Sequence, residues 1–238
     1  MRTILKVFLL LMLVVASGAT ALFYGLNQTT EFNGNYNILL LAVDTTENQG
    51  TEGLGACDMA YVLNIVNGSV KDITPIYPGG MTSPTYTEPS QLGSGMLLLH
   101  DSLYGVNTTF GAERAQEIVE YNKGLKTNAV VMITPDAVDA LLTAVGPIEV
   151  NGAPMSVNDS LGYIRDMTET DTSTENRGNA TSELMEPVIK AAKSNPATYI
   201  NLARVAIEQY NKGNIRVVPA SLITKFTVSM GLNSLLGR

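Results

Sequence analysis

The chain has 238 residues, of which 45% are hydrophobic and 16% charged, a balance that excludes disorder as its main state. Its 22 acidic against 15 basic side chains give a formal charge of -7, so a phosphate-tracking basic surface is not expected and nucleic acid is excluded as a partner. One cysteine, Cys57, and one histidine, His100, rule out an internal disulfide, a cysteine-based zinc site and a His-rich metal site.

Residues 7–26, VFLLLMLVVASGATALFYGL, carry no charge, and at about 1.5 Å per residue a helix of that length matches a bilayer core of about 30 Å. Arg2 and Lys6 precede the stretch and the next positive charge is Lys71, so the positive-inside rule keeps the short N-terminus in the cytoplasm and places the remainder outside. Ala19-Thr20-Ala21 resembles a signal-peptide cleavage site, but the apolar stretch exceeds the usual core of about 7–15 residues, which favours a single-pass anchor in the cell membrane. The expected organisation is an anchor over residues 1–26, a tether over 27–35 and an extracytoplasmic domain over 36–238. Five Asn-x-Ser/Thr sites, at Asn27, Asn67, Asn107, Asn158 and Asn179, slightly exceed the roughly three that this composition gives by chance, a pattern compatible with a glycoprotein.

After the tether, the apolar run 37–43 ends at Asp44 and a Gly/Thr-rich loop, the pattern of a central strand covered on both faces. Runs 59–66 and 70–76 flank Asn67-Gly68, a pair suited to a two-residue hairpin. Residues 78–95 are rich in Gly, Pro, Ser and Thr and read as a long loop overhanging the sheet edge. A helix is predicted over 112–121, closed by Gly124, and a strand over 129–133. Thr134 is placed to cap the next helix and Pro135 to begin it. Ala137, Val138, Leu141, Leu142 and Val145 form its apolar stripe, and Gly146-Pro147 stops it. With a further strand over 148–150, these segments predict an α/β unit with a right-handed crossover. Helices over 156–166, 182–193 and 196–211, a polar stretch over 168–181 and a strand over 215–218 complete the expected α/β fold. This fold is a mixed central sheet with helices on both faces, preceded by one transmembrane helix. No phosphate loop, dinucleotide fingerprint or H-E-x-x-H pair occurs.

Four sequence elements carry a family resemblance: Asn37-Ile-Leu-Leu-Leu-Ala-Val-Asp44; Asp58-Met-Ala-Tyr61 with the Asn67-Gly68 turn; Asn128-Ala-Val-Val-Met-Ile-Thr-Pro-Asp136 leading into Ala144-Val-Gly-Pro-Ile-Glu-Val150; and Tyr163-Ile-Arg165 followed by Arg177. Over residues 36–193 the chain resembles the LytR-CpsA-Psr family of membrane-anchored envelope proteins, and more closely its relatives grouped as the DUF4012 domain of unknown function. The resemblance implies an extracytoplasmic phosphotransferase. It would move a glycopolymer from a polyprenyl pyrophosphate carrier to a cell-wall polymer, with Mg2+ and arginines holding the pyrophosphate. By position, Asp44 and Asp58 would be the magnesium-side acids and Arg165 and Arg177 the phosphate ligands, with Asp44 and both arginines the implied catalytic set. These residue types suit the task, because carboxylates bind a hard cation through oxygen and guanidinium groups grip phosphate with paired hydrogen bonds.

The chain departs from the family pattern at several positions. Ile76-Tyr-Pro-Gly-Gly80 stands where the family carries an Arg-Asp pair, Met167 where a second arginine would follow Arg165, and Ala180 and Thr181 where Arg and Gln are expected. The alternative reading is therefore a non-catalytic envelope or surface interaction module with a degenerate site. In that reading Asp44 caps nearby loop amides and Arg165 joins a surface ion pair. Cys57 is expected to be a small buried residue rather than a reactive thiol, and His100 a partly buried, hydrogen-bonded ring rather than a catalytic group.

Overall fold

The computed structural model describes residues 34–47, 50, 52–66, 69–76, 78–146, 148–150, 153–155 and 196–229. The expected membrane span and the predicted helices over 156–166 and 182–193 lie outside the described residues. Among those described, no helix is long and apolar enough to cross a membrane.

A five-stranded mixed sheet forms the centre, in the order β3-β2-β1-β6-β9. Strand β2 (Ala56–Val66) pairs antiparallel with both β1 (Asn35–Asp44) and β3 (Ser69–Ile76); β6 (Ala129–Ile133) pairs parallel to β1 and antiparallel to β9 (Ile215–Val218). Val66 stands opposite Ser69 in the β2–β3 ladder, as the sequence reading required; the turn pair Asn67-Gly68 is itself outside the described residues.

Strand β1 is buried without interruption from Ile38 to Asp44, because both faces of the sheet are covered. Leu39, Leu41 and Val43 face one core, where Ala112, Ala115, Ile118 and Val119 of helix α1 (Thr108–Lys123) pack against them. Ile38, Leu40 and Ala42 face the other core, closed by Ala137, Leu141 and Leu142 of α2 (Pro135–Val145) and by Leu202 and Ala206 of α3 (Pro196–Lys212). The alternation follows from the two-residue side-chain period of a strand, and the helices supply the matching stripes at a period of 3.6. A fourth helix, α4 (Ser221–Ser229), adds Leu222 to the second core. The mixed sheet with helices on both faces is thus the observed architecture.

Three local readings are corrected. Helix α1 begins at Thr108 rather than near 112, because the Asn107 side chain accepts a hydrogen bond from the Phe110 amide at 3.0 Å and caps it. Thr134 occupies the cap position of α2, but its hydroxyl makes no cap bond. The strand over 148–150, β7 (Ile148–Val150), does not join the central sheet. It pairs with β8 (Ala153–Met155) in a hairpin of its own, while antiparallel β9 takes the place beside β6.

The segment read as one long loop over 78–95 is partly ordered as a strand, β4 (Thr82–Thr87), paired with β5 (Met96–Leu98). Polar side chains hold it where apolar periodicity is lacking. The hydroxyls of Ser83 and Thr85 donate to Glu117 of α1 at 3.0 and 2.6 Å, and the Ser83 oxygen accepts from the Tyr86 amide at 2.8 Å. Side-chain hydrogen bonds of this kind leave no hydrophobic period to read.

Candidate functional site

The carboxyl ends of the parallel strands β1 and β6 lie at one edge of the sheet, where α/β folds commonly place their ligands. At the end of β1, Asp44 is 3% exposed, and its Oδ1 accepts from the Thr46 amide at 2.7 Å and the Thr46 hydroxyl at 2.6 Å. This Asx turn directs the chain away from the sheet and carries Glu47 onto the rim. The returning loop passes so close that a Cβ on Gly55, which has φ +148°, would lie 2.3 Å from the Asp44 carbonyl oxygen. Only glycine fits there.

Strand β2 starts opposite Asp44, with Ala56 as its partner, which brings Asp58 to the same rim with its side chain exposed. His100 follows β5. Its carbonyl accepts from the Cys57 amide at 2.8 Å, so the histidine backbone is tied to the residue preceding Asp58. The imidazole then meets three carboxylates. Nδ1 lies 2.9 Å from Oδ1 of Asp101 and donates to it, while Nε2 lies 3.5 Å from Oε2 of Glu47 and 3.6 Å from Oδ1 of Asp58. Asp101 is the enclosed member, its side chain 10% exposed against 34% for His100, 42% for Asp58 and 48% for Glu47. Asp58 and Asp101 hold the imidazole proton and the Glu47 charge assists. Together they outweigh partial burial and raise the pKa from 6.5 to about 9. His100 is therefore an imidazolium at neutral pH, and one atom each from Glu47, Asp58 and His100 lies within 4.8 Å of the others, a spacing that could hold a metal ion.

Cys57, fully buried beside this group, is not a nucleophile. Burial and then the Asp58 charge push its thiol pKa well above the usual range, and Sγ donates weakly to the Met59 carbonyl at 3.5 Å.

Of the four residues singled out by position, Asp58 joins the cluster. Asp44 instead shapes the loop that presents Glu47, consistent with the reading of it as a cap for nearby amides. Arg165 and Arg177 lie outside the described residues. Of the segment that replaces the expected Arg-Asp pair, Ile76 ends β3 opposite Ala60, two residues beyond Asp58, and Gly79 and Gly80 are exposed. Position-by-position reading missed Glu47, Asp101 and the site role of His100. The signal available was the adjacent His100-Asp101 pair closing a buried apolar run.

The family of proteins of unknown function DUF4012 matches residues 33–175, more than half of the chain. The chain belongs to this family. No curated protein matches it. Among solved structures it is similar to gbs0355 from Streptococcus agalactiae, at 16% identity and TM-score 0.57 over 84% of this chain and 74% of that one. It is also similar to TagV of B. subtilis, at 15% identity and TM-score 0.53 over 86% and 81% of the two chains. A LytR-Csp2A-Psr enzyme from Actinomyces oris follows, at 14% identity and TM-score 0.50 over 86% and 77%. At these identities the likeness is one of fold, and the domain of this DUF4012 chain is LytR-CpsA-Psr-like in its architecture.

Proposed function

We propose that this DUF4012 protein is a single-pass, membrane-anchored envelope protein. Its domain, on the extracytoplasmic side, binds a polyprenyl-pyrophosphate-linked glycopolymer and delivers it toward a cell-wall polymer. The observation that carries the reading is the rim at the carboxyl end of β1. There, a fold similar to that of a LytR-Csp2A-Psr enzyme gathers Asp58, Glu47 and the His100–Asp101 pair, beyond the Asp44 turn that ends the strand. The uncharged stretch 7–26 and the Arg2/Lys6 bias support the anchor and its orientation. Arg165 and Arg177 are the proposed pyrophosphate ligands, because planar guanidinium forks match phosphate oxygens.

Magnesium, the ion that the resemblance implies for Asp44 and Asp58, fits this rim incompletely. Asp58 presents an exposed carboxylate, but Oδ1 of Asp44 is taken by Thr46. The donors that converge with Asp58 are a second carboxylate and an imidazole nitrogen, whereas magnesium prefers an all-oxygen octahedron. No transfer step is therefore assigned to magnesium. The absence of the Arg-Asp pair at Ile76-Tyr-Pro-Gly-Gly80 supports a second reading, a binding module of the same fold that presents the carrier without transferring its cargo.

The full chain in nanodiscs should bind polyprenyl pyrophosphate. Arg165→Ala or Arg177→Ala should each remove charge-assisted hydrogen bonds worth about 1.5–3 kcal/mol, a loss of roughly 10- to 150-fold in affinity. Equal binding by wild type and both variants, or no binding at all, would sink the carrier reading. Glycopolymer transfer measured with an acceptor wall fragment separates enzyme from module. Protease added to intact spheroplasts should remove the domain; protection until the membrane is permeabilised would reverse the topology.

A further inference from the structure

Glu47, Asp58 and Asp101 bring three negative charges to one imidazole, and among the described residues no lysine or arginine pairs with any of them. The Nδ1–H of His100 is committed to Asp101 at 2.9 Å, so the ring directs Nε2 between two carboxylate oxygens at 3.5 and 3.6 Å. A bare nitrogen lone pair facing two carboxylates is repelled. A positive centre at that point, either a proton or a metal ion, relieves the repulsion.

We propose that Nε2 of His100 and the carboxylates of Glu47 and Asp58 form a binding site for a divalent ion of the zinc class, with Asp101 fixing the orientation of the ring. The assignment does not depend on the glycopolymer reading. Four observations point the same way. The donor set mixes imidazole nitrogen with carboxylate oxygen, which suits zinc and its first-row neighbours rather than magnesium. The spacing agrees: bonds of about 2.0–2.1 Å in a tetrahedron place neighbouring ligand atoms about 3.3–3.4 Å apart, whereas an octahedron of similar bonds places them about 3.0 Å apart. The observed 3.5 and 3.6 Å from Nε2 are near the first arrangement, and the two carboxylate oxygens, within 4.8 Å of each other, would be drawn together by movement of the Glu47 loop. Asp101 is the carboxylate partner that metal-binding histidines ordinarily have on their other nitrogen, and its enclosure keeps that bond from exchanging with water. The frame is prepared as well. Asp58 lies on β2, His100 is pinned to that strand through the Cys57 amide, and Glu47 alone sits on a loop that can adjust. Exposed ligand atoms on the open side leave at least one coordination position for water or an anionic ligand.

The test uses the full chain, purified in detergent without a histidine tag, stripped with a chelator and titrated calorimetrically with Zn2+. One Zn2+ per chain should bind, and a large excess of Mg2+ should leave the isotherm unchanged. Co2+ loaded in its place should give the visible absorption of a low-symmetry nitrogen–oxygen site. Glu47→Gln changes an exposed loop side chain and should leave a cooperative metal-free melt while weakening Zn2+ at least about tenfold. Asp101→Asn should weaken it about 10- to 100-fold without changing the stoichiometry, and His100→Ala should abolish the Co2+ spectrum. Unchanged Zn2+ affinity in both Glu47→Gln and His100→Ala, or displacement of Zn2+ by equimolar Mg2+, overturns the assignment.

Discussion

The two ends of strand β1 solve opposite problems with the same backbone ladder. At the amino end the polar groups are neutral amides that satisfy one another. The Asn37 amide donates to Oδ1 of Asn128 at 2.8 Å, and Nδ2 of Asn64 donates to Oδ1 of Asn37 at 2.8 Å and of Asn35 at 2.9 Å. At the carboxyl end three carboxylates surround one imidazole, and among the described residues no lysine or arginine pairs with them. Neutral amides that bond one another gather no net charge to attract an ion, whereas an acid-rich rim on a rigid strand is stabilised by a cation that binds it. The amino end is therefore read as structure and the carboxyl end as the site.

The severest way to break this comparison is to remove the strand that both ends share. Leu40 is fully buried in the core beneath α2 and α3, so Leu40→Ala should cost about 2–5 kcal/mol in a denaturant melt. Gly55→Ala should act at the carboxyl end alone. The new Cβ meets the Asp44 carbonyl and the positive φ disfavours any side chain, at a cost of about 1–3 kcal/mol. It should also weaken Zn2+ binding by displacing Glu47, which calorimetry on the folded variant would read. Asn64→Ala should cost about 0.5–1.5 kcal/mol at the amino end and leave metal affinity and pH dependence untouched.

The titration of His100 gives a separate readout that only the carboxyl end should show. The His100 pKa is raised from 6.5 to about 9 in the folded chain, so its contribution to stability is fully present below about pH 6.5 and is lost as pH rises through about 9. Metal-free wild type should lose stability across that window. His100→Gln should flatten this part of the profile and Asn64→Ala should preserve it. An identical slope in wild type and His100→Gln, measured by urea titration at stepped pH, would show that the imidazole carries no such linkage.

Where a side chain's role follows from its immediate neighbours in the chain, the reading from sequence came close. The unbroken run of β1 dictates a strand covered on both faces. Spacing across Asn67-Gly68 pairs β2 with β3, the Pro135 stripe gives α2, and Cys57 is buried as expected. The reading failed where roles depend on distant partners. The strand β4 is held by hydroxyls on Glu117 of α1, which no local pattern announces. β7 leaves the central sheet because β9, far along the chain, takes the adjacent place.

The same division governs the candidate site. Composition and order along the chain already say which residues could carry charge: an acidic chain with one histidine, an aspartate closing the first strand and another near the start of the second. They also determine the alternation that orders the core, since a strand's two-residue period is a local property of the backbone. Only the folded chain brings His100, 42 residues beyond Asp58 in the sequence, within 3.6 Å of it and sets Glu47 3.5 Å from the same nitrogen. The physical reason is that charge interactions act through space and vary with distance and burial, and those quantities are set only when β2 and the segment after β5 are brought together by the Cys57–His100 backbone hydrogen bond.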